Sequence, residues 1–510
     1  MLYDVLIKID LLSNEKNVDV LRESNNILSK NNVIIAKLGN AFDRYGKLLK
    51  LDGLYKAYRK YGAETADNLD GVFSFVVIDT EIKKAYIFQD RMAGNVCTYY
   101  YFNGESILIS NCLRHIVNEN LNNKWELNDK SVRDFIDSGY VKGNKTLLYD
   151  IYKTVGGKYT EINLKKGLIA DKALRPVKIK KKSNISIPTY DKTLRQAILD
   201  CPHGRPAVEL SYDYDSNYIL HLMINNIPED REISAFHVTD SGDSKSSPRV
   251  TSICKEYKNT VLHTEQLDKN ILFALPKIVY ICEGAVFSND MFKKYVLAKS
   301  VNDSGRKSII MSDGAGNVFD FLYHNKIHSL IERVKNLFTY AVEKFKNKKD
   351  IPLYVDPAEE LSNVTLKNSG IIMNYFDVAT VHPYLMKDII SIAANVVKKN
   401  EPKVFHLKSA KANVSADVMQ FAKQENKNFD LASLFGGDVS EKTIEAMAKR
   451  SPYFEIYARS YDDKQLQLQY YLKLVYIQIF ERIFASKSTE KLLGTENFNY
   501  SLKAFFPKFF

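Results

Sequence analysis

The chain has 510 residues, of which 45% are hydrophobic and 26% charged. That is too long for one ordinary core and too apolar for a disordered chain, so it reads as two or three packed domains. Lysine and arginine exceed the acidic residues by enough for a formal charge of +11, but the excess is spread along the chain. Spread charge attracts anions in general and is not the footprint of a nucleic-acid site. The five cysteines form no close pair, which fits a reducing compartment rather than a disulfide framework or a zinc module. No apolar run reaches about 18 residues, and the opening segment carries charges inside its apolar stretch. The expectation is a cytoplasmic protein without a membrane span or signal peptide.

Residues 1–165 read as β-rich, with apolar runs at Val5 to Ile9, Val33 to Leu38, Val72 to Ile78, Ala85 to Phe88 and Ile107 to Ser110. Helical patterns fall at Leu54 to Tyr61 and Asp129 to Ser138. Residues 166–190 read as a linker, with a basic run at Lys178, Lys180, Lys181 and Lys182 followed by Ser183, Ser186 and Pro188.

Residues 191–510 begin as alternating α/β. The apolar run Ala207 to Leu210 enters a polar turn from Ser211 to Ser216, and Ile219, Leu222 and Met223 follow at helical spacing. Strand, turn and helix in that order leave unpaired N–H groups and a positive dipole end at the turn, which favours a phosphate. Ser211 and Ser216 add hydroxyls, and Asp215 offers a carboxylate for Mg2+. Further buried strands are expected at Ile233 to Val238 and Ile309 to Met311, a short one at Val261 to Thr264, and a helix at Ser246 to Glu256. The rest reads as mainly helical. Leu468, Leu472, Val475 and Ile479 form an apolar stripe there that belongs in a core, and the apolar ending from Phe505 is expected to fold back onto the body.

Several stretches together resemble the asparagine synthetase B-type family. Asn68 to Asp79 (NLDGVFSFVVID) is similar to its Leu-x-Gly-x-Phe-Ala-Phe strand, and Phe88 to Tyr100 to the Arg-Asp-Arg segment after it. Ser211, Asp215 and Ser216 fall on the pyrophosphate loop Ser-Gly-Gly-x-Asp-Ser, with Tyr212 and Asp213 in place of the glycines. Met311 to Tyr323 resembles Leu-Ser-Gly-Glu-Gly-Ala-Asp-Glu-Leu-Phe-Gly-Gly-Tyr, with Ser312 and Tyr323 matching, Asn317 replacing the metal-binding Asp and Val318 the Glu. Lys403 to Lys423 is similar to the family's lysine-containing helix, ending on Lys423.

The resemblance implies an N-terminal-nucleophile-like α+β sandwich, then an α/β, Rossmann-like ATP-pyrophosphatase domain with a helical C-terminal part. It implies Leu210, Ser211, Ser216, Val238 and Ser312 as nucleotide contacts, Asp215 and Asn317 as Mg2+ ligands, and Lys423 and Tyr323 as catalytic groups. Position 2 is Leu2, without the nucleophilic thiol of glutamine-using members, so glutamine hydrolysis is not expected. The implied activity is ATP-dependent amide-bond formation by carboxylate adenylation, as in β-lactam synthetases and lasso-peptide cyclases. The substrate would be a peptide or a small carboxylate, with biosynthetic partners such as a leader-binding protein or a protease. The competing expectation is a catalytically impaired homologue that binds a peptide or a partner, motivated by Tyr212, Asp213, Asn317 and Val318.

Overall fold

Chain order builds two antiparallel sheets first and a parallel one afterwards. The computed structural model describes residues 4–12, 18–22, 26–43, 48–92, 97–175, 186–199, 207–211, 214–228, 231–239, 246–255, 259–268, 270–316, 318, 361–396, 435, 439–486, 488–493 and 498–509. Among the described residues no helix is long and apolar enough to cross a membrane.

The first sheet holds β1 (Leu6–Asp10), β2 (Val18–Arg22), β7 (Tyr99–Phe102), β8 (Ser106–Ser110) and β9 (Ile151–Lys153) in the order β2-β1-β8-β7-β9. The second holds β3 (Ile27–Lys30), β4 (Val33–Phe42), β5 (Asp70–Asp79), β6 (Lys84–Gln89), β10 (Lys158–Asn163) and β11 (Leu168–Ala173) in the order β11-β10-β6-β5-β4-β3. Period-two alternation decides how they stack. Ile7 and Ile9 of β1 with Ile107 and Ile109 of β8 face Leu38, Val76, Ile78 and Ile87 of the other sheet, and all are buried between the two. The opposite face of the second sheet, with Phe75, Val77 and Phe88, packs against the helix Leu51–Tyr61 through Leu54 and Tyr58. Helix, sheet and sheet therefore stack as expected of a sandwich.

The strand β11 runs into the segment read as a linker. Its residues are mostly exposed, so it lacks the apolar alternation that would announce it. What sets it is the preceding turn, in which the Asn163 side chain accepts the N–H groups of Lys165 and Lys166 and Gly167 takes a φ of 65°.

The parallel sheet holds β12 (Ala207–Glu209), β13 (Ile233–Thr239), β14 (Thr260–Gln266), β15 (Ser308–Ile310) and β16 (Ala379–Val381), in the order β14-β13-β12-β15-β16. All four pairings are parallel. The order runs outward from β12 in both directions, so the chain reverses its winding between β12 and β15. A crevice opens outside the carboxyl ends of the strands at such a reversal. Helices cover both faces: Tyr214–Ile224 and Lys387–Val396 share one core with Val208 and Ile310, while Leu275–Cys282, Met291–Asp303 and Leu366–Tyr375 share another with Ala207 and Ile309.

The second of these cores continues without a break into the sandwich. The outer face of the first sheet, through Tyr99, Tyr101 and Leu108, packs on the helices Leu113–Glu119 and Asp129–Ser138, and these pack on the long helix Lys464–Phe484. The Phe135 and Tyr476 rings lie 5.0 Å apart. The stripe Leu468, Leu472, Val475 and Ile479 is buried here, and Phe505 and Phe506 fold back against the same core.

A buried ion pair fastens the junction. Glu283 follows the helix Leu275–Cys282 with a φ of 52°, and its carboxylate accepts the N–H groups of Leu113 (2.6 Å) and Arg114 (3.2 Å) and the Arg114 guanidinium (2.6 Å). Burial raises the Glu283 pKa, and the guanidinium and the two N–H groups oppose that rise. Gly284 comes next, where a Cβ would lie 2.6 Å from Leu147 and 2.8 Å from Phe480, so no larger residue fits.

Candidate functional site

The turn after β12 is closed by its own serines. The Ser216 hydroxyl accepts the Ser211 N–H at 3.0 Å and lies 2.9 Å from the Ser211 hydroxyl, while the Asn217 amide donates to the Ser211 carbonyl at 3.1 Å. Ser216 is fully buried and Ser211 partly exposed. The Ser216 side chain thus holds the turn in shape, and Ser211 is the hydroxyl nearer the crevice. Leu210 is buried, with its carbonyl 2.8 Å from His237 Nδ1 and its N–H on the Phe236 carbonyl. Asp215 opens the helix Tyr214–Ile224, and its carbonyl accepts the Tyr384 hydroxyl at 3.0 Å. That bond ties the turn to the segment after β16.

The neighbouring turn, after β15, carries Ser312 and Asp313. Gly314 has a φ of 91° there, and a Cβ on it would meet the Leu385 side chain at 2.4 Å. Val238 lies on β13, beside β12. Ser211, Asp215 and Ser312 therefore gather at the carboxyl ends of adjacent strands, and Val238 flanks them one strand away. Tyr212, Asp213, Asn317, Tyr323 and Lys423 lie outside the described residues.

Sequence reasoning missed a set of ionisable groups at the same edge of the sheet. Glu209, the last residue of β12, takes the Lys294 ammonium on both carboxylate oxygens at 2.8 Å. Asp313 Oδ1 and Asp290 Oδ2 stand 3.9 and 4.0 Å from that ammonium. Asp313 Oδ2 accepts the Ser369 hydroxyl at 2.9 Å and lies 3.9 Å from His382 Nδ1. His382 follows β16 and its side chain is wholly buried. Neither ring nitrogen has a hydrogen-bond partner among the described residues.

The electrostatics follow from crowding. The Lys294 pKa is raised, because Asp313, Glu209 and Asp290 together outweigh its own burial. Burial, with repulsion from Asp313 and Asp290, pushes Glu209 up to about 7 against the pull of Lys294. Burial and the Lys294 charge push His382 down to about 4, opposed by Asp313. The signal for these groups was present in the sequence as ionisable residues inside apolar runs, Glu209 between Val208 and Leu210 and His382 after Val381. A charge inside such a run needs a partner, and the sequence does not say which.

The cysteines give the sandwich no exposed thiol. Cys97, Cys112, Cys254 and Cys282 are buried thiols outside any disulfide, and burial pushes those of Cys112 and Cys282 far up. Such thiols are poor nucleophiles.

Residues 51–171 match the family described as glutamine amidotransferase domain. The match takes in β5 to β10 and the first part of β11 and leaves β1 to β4 outside it. No curated protein matches the chain. Among solved structures, the U34-tRNA thiolase of Methanococcus maripaludis is 12% identical with a TM-score of 0.23, over 49% of this chain and 83% of that one. The glutamine phosphoribosylpyrophosphate amidotransferase of B. subtilis is 9% identical with a TM-score of 0.21, over 52% and 75% of the two chains. An enzyme described as the allosteric regulatory enzyme of purine biosynthesis is 10% identical with a TM-score of 0.21, over 52% and 74%. Likenesses at that level define neither fold nor activity.

Proposed function

We propose that this chain is an ATP-dependent amide-bond-forming ligase of the asparagine synthetase B-type family that has no glutaminase activity. The observation that carries the reading is the pairing of the Ser211–Ser216 turn with the Ser312 turn at the winding reversal of a parallel sheet. Ligands of open parallel sheets sit at such reversals, and a helix N-terminus beside one favours phosphate. The amidotransferase-type match over residues 51–171 supports the family, and the buried cysteines support the missing glutaminase.

In this reading a carboxylate displaces pyrophosphate from ATP to give an acyl-adenylate, and an amine then displaces AMP to form the amide. Leu210, Ser211, Ser216, Val238 and Ser312 serve the nucleotide. Asp215 and Asn317 would hold Mg2+ together with the ATP phosphates, and the ion would offset the charge on the departing pyrophosphate; such ions are commonly held by one or two carboxylates and the substrate itself. Lys423 and Tyr323 act on the acyl group. The substrate class is a peptide or small carboxylate closed onto its own amine, as in lasso-peptide cyclases and β-lactam synthetases.

One observation favours a second reading. The Ser211 and Ser216 hydroxyls and the Ser211 N–H are hydrogen-bonded to one another. A phosphate would have to exchange for those bonds, as it would not in an open cradle. A homologue that has lost catalysis and binds a peptide or a partner would keep that closed turn.

Exchange of labelled pyrophosphate into ATP, run over a panel of peptide and small-molecule carboxylates, separates the two. The ligase gives exchange that Asp215→Ala abolishes, and it releases no glutamate from glutamine. Absence of ATP binding by calorimetry at millimolar Mg2+ rejects the ligase and leaves the binding protein.

A further inference from the structure

We infer that Glu209, Asp290, Asp313 and His382 form a binding site for a primary ammonium group, which on the ligase reading is that of the amine substrate. The inference rests on that reading for the identity of the ligand, not for the site. Three carboxylates converge on one ammonium, that of Lys294, at 2.8 to 4.0 Å. With His382 neutral, the described groups leave one to two negative charges uncovered, according to how far Glu209 is protonated. Carboxylates crowded in this way gain from a further cation.

The imidazole makes this more than an acidic cluster. His382 is completely buried, stands 3.9 Å from Asp313, and leaves both ring nitrogens without a hydrogen-bond partner among the described residues. A neutral imidazole offers one acceptor nitrogen and one N–H. A buried polar group of this kind is normally satisfied, and an N–H from a bound ammonium would supply what its acceptor lacks.

Access follows from the burial gradient. The side chains of Lys294 and His382 are 5% and 0% exposed and form the floor, whereas those of Asp313, Glu209 and Asp290 are 15%, 25% and 47% exposed and climb to the rim. Among the described residues no three carboxylate, imidazole or thiol groups stand close enough to hold a metal ion. An ammonium, which reaches its partners through three N–H groups on a tetrahedral nitrogen, suits the wider spacing. The cluster also shares its turn with Ser312, so an amine bound there would sit beside the nucleotide loops. It would be placed to meet an acyl group activated between them.

The test titrates the full chain with n-butylammonium chloride, using n-butanol as the uncharged control, and reads binding by ligand-observed NMR. Wild-type protein, Glu209→Gln, Asp313→Asn and Asp290→Asn are compared, and ATP binding is measured on the same samples. The expected result is saturable binding of butylammonium only, weakened about tenfold or more in each variant, as the loss of a charge-assisted contact implies. Asp290 lies at the rim and makes no close hydrogen bond to Lys294, so its variant keeps the test valid if Glu209→Gln does not fold. Equal affinity across all proteins, or no binding to the wild type, overturns the inference. ATP binding without ammonium binding removes this site and leaves the ligase reading standing. Ammonium binding without ATP binding removes the ligase and leaves the site.

Discussion

The centre of the antiparallel sandwich and the carboxyl edge of the parallel sheet differ in how their buried polar groups are paired. Between the two sheets such groups are spent on one another: Ser74 on Thr98, Thr154 on Gln89, and Asp90 on the Phe73 N–H and the Gln89 amide, while Trp125 Nε1 and Ser131 Oγ, further out, have no hydrogen-bond partner among the described residues. At the carboxyl edge of the parallel sheet, Glu209, Asp313 and His382 remain over-charged or unsatisfied. A polar network that is fully paired inside a core specifies and stiffens it, and one left incomplete at a crevice is available to a ligand. The contrast is the physical ground for proposing chemistry at the parallel sheet, although both halves carry ionisable groups in apolar surroundings.

The strongest way to break that contrast is to attack the junction. Glu283→Ala strands the Arg114 guanidinium in the core and frees two helix N–H groups. A loss of about 3–5 kcal/mol is expected, read by urea unfolding, with near-ultraviolet and far-ultraviolet signals changing together. Separate transitions for the two halves would show that the shared core does not couple them.

His382 gives the next effect, through pH. Its pKa is lowered in the folded protein from the ordinary 6.5 to about 4, so between those values the unfolded chain takes a proton that the folded one refuses. Stability is thus complete above about pH 6.5, falls as pH drops towards 4, and levels off below. The loss is on the order of 3 kcal/mol. His382→Gln should flatten that part of the profile, and an unchanged profile would mean that the imidazole finds a partner on protonation.

Ser216→Ala gives the smallest change. It removes the acceptor of the Ser211 N–H, for about 1–2 kcal/mol of thermal stability. In a ligase, ATP affinity should fall by more than this loss of stability accounts for. If affinity stays level, the serine pair is only a clasp.

Much of the fold could be read from side-chain periodicity. The continuous apolar runs of β4, β5 and β6, and the stripe on the helix Lys464–Phe484, have one stable use, which is burial. The edge strands β2 and β11 escaped because most of their residues face solvent and their pairing is imposed by neighbours and turns. Strand order escaped as well, since register and crossover come from contacts distant in sequence. At the site, the turn from Ser211 to Asp215 was legible as a local pattern of strand, polar turn and helix. The ammonium cluster was not, because it draws on strand ends, a helix start and a helix interior spread from Glu209 to His382.

The position of the helix Lys464–Phe484 has a consequence for biosynthesis. It covers the helix Asp129–Ser138, touching Phe135 and donating the Lys473 ammonium to the Ile136 carbonyl at 2.9 Å. Ribosomes add roughly 5–20 residues per second, so the early sheets leave the exit tunnel tens of seconds before their last apolar cover exists. Nascent chains of this protein should therefore be holdase clients, and slowed translation of the middle of the message should lower the soluble yield.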